Sequence, residues 1–308
     1  MFLIAVWYAP GESLLITPAD SSLTCCVRLF LSPPSVLDCP LQICDTMVQP
    51  CFICSSSSGD EHVQCLRCSD SPFFCCNDHL LLHHPQDQCL PFSIQFSEDS
   101  GRFLVASRDI SPGELVLSEK SLIWGPNHTD DLVCLECLTS VTETDFCLLC
   151  GYPLCEEHQD SAPLHHTLEC SVFRDEGIKL DEKDRECMEE LYPCVAVIRS
   201  LLLAETSKTF SNCFDKLMDH KEERLAERDK YIEPYREEVI NKLLRMNTIQ
   251  TSEEEICRLL GVLDVNCLAV RGKDGPYKGR GIFPTACLMN HSCICNTRNI
   301  ITGKLFQC

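Results

Sequence analysis

Paired cysteines constrain the fold of this chain more than any other feature. The chain has 308 residues and 26 cysteines, and half of the cysteines lie in two windows, Cys51–Cys89 and Cys134–Cys170. In a small secreted chain such a count would indicate disulfides. The length, the formal net charge of -20 and an apolar start without a positive segment before it argue against secretion. Metal binding is therefore favoured over a disulfide framework.

The second window arranges its ligands in four pairs. They are Cys134 and Cys137 in "CLEC", Cys147 and Cys150 in "CLLC", Cys155 and His158 in "CEEH", and His166 and Cys170 in "HTLEC". These donors are enough for two closed tetrahedral zinc sites, and a two-residue spacer lets a tight turn aim both thiolates at one ion. The alternative is an ordinary small domain with reduced cysteines. Four ordered pairs at ligand spacing favour zinc.

The first window repeats this plan with more scatter. Its pairs are Cys51 and Cys54, Cys65 and Cys68, Cys75 or Cys76 with His79, and His83 or His84 with Cys89. Cys75 is taken with His79, although Cys76 has the two-residue spacer of "CEEH". His84 is preferred because it lies nearer the spacing of His166 to Cys170. One zinc site with additional thiols remains the alternative for this window.

Both windows resemble MYND zinc fingers, in which the first and third ligand pairs share one zinc ion and the second and fourth pairs share another. The resemblance implies two ions per finger, so about four zinc ions in all. In the second window it places Cys134, Cys137, Cys155 and His158 on one ion, and Cys147, Cys150, His166 and Cys170 on the other. MYND fingers bind proteins, typically proline-containing peptides, and perform no chemistry themselves.

The segments around the second window extend this resemblance. In "GRFLVASRDISPGELVLSEKSLIWGP", apolar and polar residues alternate on both sides of a turn at Pro112 and Gly113, which predicts a hairpin with Ile110 and Val116 beside the turn. This stretch is similar to the opening strands of a SET domain. "GIFPTACLMNHSCICN" is similar to the motif at the far end of that fold. A MYND finger between the two halves is characteristic of the SET and MYND domain (SMYD) family, and a second finger before them is typical of the arthropod SmydA group.

The resemblance implies an α+β fold: a split, β-rich SET domain with an inserted MYND finger and a helical insertion, preceded by another MYND-like finger. The predicted boundaries are a leader at 1–46, a MYND-like finger at 47–92, the first SET part at 93–126, the inserted finger at 127–172, the helical insertion at 173–260 and the second SET part at 261–308. The leader has no periodic pattern, so we expect a chain beginning at Met47 to fold as stably as the full chain.

Helical spacing marks the region between the inserted finger and the last motif. "LYPCVAVIRSLLLAE" and "EPYREEVINKLLRM" carry apolar residues at intervals of three and four. "TSEEEICRLLGVLDVN" opens with Ser252 and Glu255 at capping-box spacing and continues with Ile256, Leu259 and Leu260 on one face. "DHKEERLAERDK" is nearly all charged and predicts a solvated surface. "GVLDVNCLAV" is similar to the turn that reaches the lysine channel, with Leu268 in place of the family's aromatic residue.

The resemblance also implies a cofactor site. Asn290 and His291 of "NHS" match SET residues that bind S-adenosylmethionine. Gly101 and Arg102 of "SGRF" match a glycine-rich turn that approaches the same cofactor. Considered without this context, His291 is better explained as a hydrogen-bonded core histidine.

A protein-lysine methyltransferase acting on histone or non-histone proteins is the implied function, with proline-containing peptides as further partners and a location in the nucleus and cytoplasm. SET enzymes line the lysine channel with a tyrosine downstream of "NHSC". No tyrosine follows Tyr277 here, so no catalytic residue is assigned. We expect residues 1–308 to bind the cofactor weakly and to transfer no methyl group. The alternative is an inactive MYND scaffold or transcriptional co-regulator.

Two classes of function are disfavoured by composition. The net charge of -20 argues against general binding of nucleic acid, because an anionic surface repels phosphate. No apolar run approaches the roughly 20 residues that span a bilayer, so we expect no membrane partner.

Overall fold

The computed structural model describes residues 27–28, 30–31, 51, 63–65, 73–74, 89–97, 101–127, 132–142, 145–177, 185–272, 277–292, 295–302 and 304–308. Two compact units divide the chain. Unit 1 comprises Met1–Glu119, Leu288–Ile300 and Gln307–Cys308, and unit 2 comprises Lys120–Cys287 and Ile301–Phe306. Helices and sheets both occur, in agreement with the predicted α+β class. The finer domain boundaries stay a prediction.

The strands are short. They are β1 (Val27–Arg28), β2 (Phe30–Leu31), β3 (Val63–Gln64), β4 (Phe73–Phe74), β5 (Phe92–Ser97), β6 (Gly101–Ala106), β7 (Ser118–Lys120), β8 (Ile123–Pro126), β9 (Cys267–Arg271), β10 (Tyr277–Ile282), β11 (Asn290–His291), β12 (Ile300–Thr302) and β13 (Leu305–Gln307).

The α-helices among the described residues lie in unit 2. They are α1 (Pro163–Thr167), α2 (Glu169–Asp175), α3 (Arg185–Thr206), α4 (Lys208–Phe214), α5 (Lys221–Ala226), α6 (Arg228–Tyr231), α7 (Asn241–Arg245) and α8 (Glu253–Asn266). The 3-10 turns are Glu156–His158, Glu233–Tyr235 and Ala286–Leu288, and Arg236–Ile240 is a π-helical turn. No helix in the described part of the chain has both the length and the apolar character needed to cross a bilayer.

Strand β6 is the centre of a three-stranded sheet in unit 1. It pairs antiparallel with β5 and parallel with β2. The predicted turn is present, since the Glu114 N–H donates to the Ser111 carbonyl and Gly113 has a φ of 82°. The predicted hairpin is wrong, because the partner of β6 comes before it in the sequence. The alternation of Phe92, Ile94 and Phe96 in β5 was the signal for that partner.

The leader contributes strands to unit 1, which the lack of periodicity did not predict. β1 pairs antiparallel with β11, with Val27 opposite His291 and Arg28 opposite Asn290. β2 pairs with Val105 and Ala106 of β6. Each strand is two residues long, which is too short for an alternating pattern to be recognised. These pairings do not support the expectation that residues 1–46 are dispensable for folding.

A sheet in the order β8–β10–β9 is covered by helix α3 in unit 2. The helix can approach closely because a Cβ on Gly125 of β8 would lie only 3.0 Å from the Ala196 side chain. Gly279 of β10 makes a similar approach, since an added Cβ would clash with Leu138 in residues 127–172, the segment predicted as the inserted finger. Glycine at these two positions lets the helix and the finger pack directly on the sheet.

Helix α8 begins at the predicted cap. The Ser252 hydroxyl accepts a hydrogen bond from the Glu255 N–H at 3.2 Å, while the Glu255 carboxylate accepts two from Arg258. Ile256, Leu259 and Leu260 are buried, as their spacing predicted. The helical prediction for "LYPCVAVIRSLLLAE" is confirmed by α3, and "EPYREEVINKLLRM" forms a continuous run of 3-10, π and α turns.

The charged stretch "DHKEERLAERDK" is exposed along most of its length, with one exception. Arg224 on α5 is buried, and its Nη2 atom lies 2.9 Å from Asp264 on α8. The prediction of a wholly solvated face is therefore wrong at this residue, because the partner carboxylate comes from a distant helix.

Candidate metal centre

Two groups of buried and half-buried donor atoms lie in the inserted finger. In each group, three sulfur atoms and one imidazole nitrogen lie within 4.8 Å of one another. The first group is Cys134, Cys137, Cys155 and His158, and the second group is Cys147, Cys150, His165 and Cys170. The first four were predicted as one set, and three members of the second group were predicted as well.

Local backbone turns aim the donors of the first group. The Leu138 N–H donates to the Cys134 carbonyl at 2.8 Å, which folds the "CLEC" segment so that both sulfurs face the same way. The Cys137 and Cys155 sulfurs are 3.7 Å apart. The 3-10 turn Glu156–His158 brings the His158 Nδ1 atom to 3.0 Å from Cys155 and 3.8 Å from Cys134.

The second group is built in the same way and buried more deeply. The Gly151 N–H donates to the Cys147 carbonyl at 2.8 Å, and Gly151 has a φ of 81°, which favours glycine at the end of this turn. Helix α2 places the Cys170 sulfur 3.8 Å from that of Cys147. The Cys150 sulfur lies 3.3 Å from His165 Nε2.

The donor spacing fits a tetrahedral zinc ion. With zinc–sulfur bonds of 2.3 Å, two thiolates in a tetrahedron lie about 3.8 Å apart, and a thiolate and an imidazole nitrogen about 3.6 Å apart. Most of the separations given above are close to these values. All six cysteines are free of disulfides. The hydrogen bond between the two thiol groups lowers the pKa of Cys137 and raises the pKa of Cys134, so without a metal ion Cys137 is the thiolate of this pair and Cys134 keeps its proton.

Two adjacent histidines border the second group. The sequence prediction selected His166, whereas the group of mutually close donor atoms contains His165. The His166 Nε2 atom lies 3.6 Å from the Cys147 sulfur, so it also faces a ligand. The choice of His166 as ligand stays a prediction, and His165 is a second candidate that the spacing of "HTLEC" did not indicate.

A buried polar network lies behind His165. Its Nδ1 atom is 2.9 Å from Glu169, which in turn pairs with Arg199 of helix α3. All three side chains are inaccessible to solvent. The sequence contained a signal for this network that was missed: Arg199 is the only charged residue in the apolar run "VAVIRSLLL". A charged side chain within a buried apolar run requires a buried partner of opposite charge or hydrogen-bonding groups.

A second carboxylate supports the segment that carries the histidines. Buried Glu136, between Cys134 and Cys137, accepts hydrogen bonds from the backbone N–H groups of Leu164 and His165 at 3.1 and 3.0 Å. This contact fixes the start of helix α1 against the "CLEC" turn.

Only part of the first window lies within the described residues. The Cys65 and Cys89 sulfurs are 3.7 Å apart, which agrees with second and fourth ligand pairs that share one ion. Cys51 is buried. The remaining predicted ligands lie outside the described residues; they are Cys54, Cys68, Cys75 or Cys76, His79, and His83 or His84.

The predicted cofactor residues lie on two strands of unit 1. Gly101 and Arg102 begin β6, and Gly101 has a φ of 63°. Asn290 and His291 form β11, with Asn290 buried and His291 exposed. Each pair lies on a strand that is paired with another strand of unit 1, and the role of these four residues in cofactor binding stays a prediction.

Comparison with known proteins gives a consistent family. The chain is 26% identical over 227 residues to the SET domain-containing protein SmydA-8, isoform A, of Drosophila melanogaster, covering 70% of the chain and 46% of that protein. It is 23% identical over 221 residues to the histone-lysine N-methyltransferase ASHR1 of Arabidopsis thaliana, covering 68% of the chain and 43% of that protein. These matches support a SMYD-like family.

The SMYD-like assignment agrees with the resemblance found in the motifs. Isoform B of SmydA-8 is also 26% identical, over 212 residues. No protein-family model matches the chain. The chain spans less than half the length of these relatives. The two donor groups are consistent with the zinc-binding character that the motifs predicted.

Proposed function

We propose that this protein is a SMYD-type, S-adenosylmethionine-dependent protein-lysine methyltransferase whose two MYND fingers bind about four zinc ions in all. The observation that carries the proposal is the similarity to SET-domain proteins over 70% of the chain. The position of the "NHS" segment on a paired strand adds to it.

Each predicted residue has a role in this proposal. Asn290 and His291 bind the cofactor from β11, and Gly101 and Arg102 approach it from the start of β6. S-adenosylmethionine supplies a methyl group on a sulfonium centre. The protein must hold a neutral, desolvated lysine in line with that group, because a protonated amine has no lone pair for attack. The zinc ions join the short turns of the inserted finger, and a local core that includes Leu135, Tyr152 and Phe173 packs beside them.

Protein recognition by the inserted finger is the second candidate function. Leu148 and Leu149, in the turn between Cys147 and Cys150, have 86% and 53% of their surface exposed. Apolar side chains presented on a rigid turn are suited to contact a partner, and we propose proline-containing peptides as that partner. In this case the protein would act as a scaffold or transcriptional co-regulator in the nucleus and cytoplasm.

Sequencing the transcript beyond the codon for Cys308 is the first test. An in-frame segment resembling "GEEL…Y" would favour the enzyme, and the chain that carries it should transfer radiolabelled methyl groups to lysines in mixed nuclear and cytosolic protein. His291→Ala in that chain should weaken binding of S-adenosylmethionine in calorimetry, because it removes a cofactor contact. Leu148→Ser is the matched control, since it lies on the finger and should leave cofactor binding unchanged.

Two outcomes would contradict the enzymatic proposal. One is a stop codon directly after Cys308, together with loss of peptide binding in Leu148→Ser, which would favour the scaffold. The other is cofactor binding that is equal in the wild type and in His291→Ala.

A further inference from the structure

Arg199 is an unusual residue in the interior of unit 2. It is fully buried in helix α3, and its guanidinium donates to three different residues. Nε donates to Glu169 at 2.9 Å, Nη1 to the Trp124 carbonyl at 2.9 Å and Nη2 to the Leu135 carbonyl at 2.8 Å, while Nη2 also pairs with Glu169. Such a guanidinium has a fixed orientation, because its planar fork is bonded on several sides.

Glu169 connects this fixed guanidinium to the metal centre, because it contacts both Arg199 and His165. The Glu169 carboxylate lies between the Arg199 guanidinium and the His165 imidazole, with the His165 Nδ1 atom 2.9 Å away. A carboxylate paired with a guanidinium accepts hydrogen bonds, so the His165 Nδ1–H group is the donor in this contact.

A hydrogen bond at Nδ1 determines what the other ring nitrogen can do. A neutral imidazole that donates Nδ1–H to a carboxylate presents an unprotonated Nε2 atom, which is the form that binds a metal. The His165 Nε2 atom lies 3.3 Å from the Cys150 sulfur, within the second donor group.

We infer that Glu169 and Arg199 are positioning residues that retain the metal at the second group by holding His165 Nε2 beside Cys150. Arg199 lies outside the finger, in the longest helix of unit 2, so metal retention in the finger depends on that helix. This inference rests on zinc binding in the proposed function and is independent of methyl transfer.

The test uses the zinc-loaded full chain and a double variant, Glu169→Met with Arg199→Met. Both members are changed together because removing one leaves a buried, unpaired charge, whereas apolar residues of similar volume often replace a buried ion pair without loss of stability. The rate of N-ethylmaleimide modification is measured at each cysteine by peptide mass spectrometry. Zinc protects a thiolate ligand, so faster modification reports faster metal release.

The expected result differs between the two groups of cysteines. Modification of Cys147, Cys150 and Cys170 should accelerate on the order of 10- to 100-fold, as for other residues that orient a metal-binding histidine. Modification of Cys134, Cys137 and Cys155 should accelerate much less, because Arg199 contacts that group only through the Leu135 carbonyl. Glu169→Gln alone should accelerate modification of Cys147, Cys150 and Cys170 to a smaller extent. This single variant replaces the double variant in the experiment if the double variant does not fold.

Arg224→Met is the matched control. Arg224 is also a buried arginine in an ion pair, with Asp264 at 2.9 Å, and Asp264 keeps a second arginine, Arg280, at 3.1 Å. This variant should leave all six finger cysteines as protected as in the wild type. Equal acceleration of both groups, no acceleration of either, or a second group that is unprotected in the zinc-loaded wild type would each overturn the inference.

Discussion

Lys304 forms an ion pair with Glu136 of the inserted finger, with 2.5 Å between Nζ and Oε1. Lys304 directly precedes strand β13, and its ammonium also lies 4.0 Å from the centre of the Trp124 ring. Glu136 is buried and also accepts the N–H groups at the start of helix α1. One lysine near the end of the chain therefore neutralises the carboxylate that orders the histidine segment of the finger.

Lys304→Met should destabilise unit 2 because it leaves Glu136 buried and without its cation. The side chain of Lys304 is 36% exposed, so water screens part of the interaction, and we expect a loss of about 1–2 kcal/mol rather than the full cost of a buried charge. Urea unfolding, followed by circular dichroism, measures this loss. Lys230→Met is the control, because its ion pair with Glu227 is exposed and should contribute little. Equal effects of the two changes would show that the Glu136 pair is not stabilising.

Cys137→Ala should remove about one zinc ion from the purified chain, because an open three-ligand site releases its metal. Cys213→Ala should leave the zinc content unchanged, since Cys213 is a buried packing residue of helix α4. Metal analysis by mass spectrometry after dialysis distinguishes the two variants. If both variants lose the same amount of zinc, the first donor group is assigned incorrectly.

The part of the metal centre that the sequence predicted is the part encoded in short spacings. Cys134 and Cys137 meet because a two-residue spacer closes a turn, and the same holds for Cys147 and Cys150. Arg199 was not predicted as a support, because its partner Glu169 is thirty residues away and only tertiary packing joins them. Spacing selected His166, whereas the approach of His165 to the same group depends on the course of helix α1, which places both imidazoles near a ligand sulfur.

Prediction of the fold was also reliable only for contacts between residues that are close in the sequence. The start of helix α8 was predicted from Ser252, because a cap is a contact between residues three apart. The partner of β6 was predicted incorrectly, although the turn at Gly113 was right. A turn signal fixes where the chain bends but does not fix which strand pairs with the one before it.

Deleting residues 1–46 should lower the melting temperature of the chain, contrary to the expectation from the unpatterned leader. The deletion removes β1 and β2, and it exposes the backbone groups of β6 and β11 that those strands pair with. Hydrogen exchange at the Ala106 amide, which lies on the side of β6 that faces β2, should become faster. Deleting residues 1–24 is the control, because it keeps both strands. Unchanged melting and exchange in the longer deletion would show that these pairings do not contribute to stability.

Ser252→Ala should cost about 1 kcal/mol of unfolding free energy, because it leaves the Glu255 N–H without its cap. The helix that this cap begins buries Ile256, Leu259 and Leu260, so weakening its first turn should affect the stability of unit 2 as a whole. Ser252→Asn is the control, since an amide oxygen can accept the same hydrogen bond. Urea unfolding of both variants measures the difference. Equal stability of the alanine and asparagine variants would show that the Ser252 hydroxyl does not act as a cap in solution.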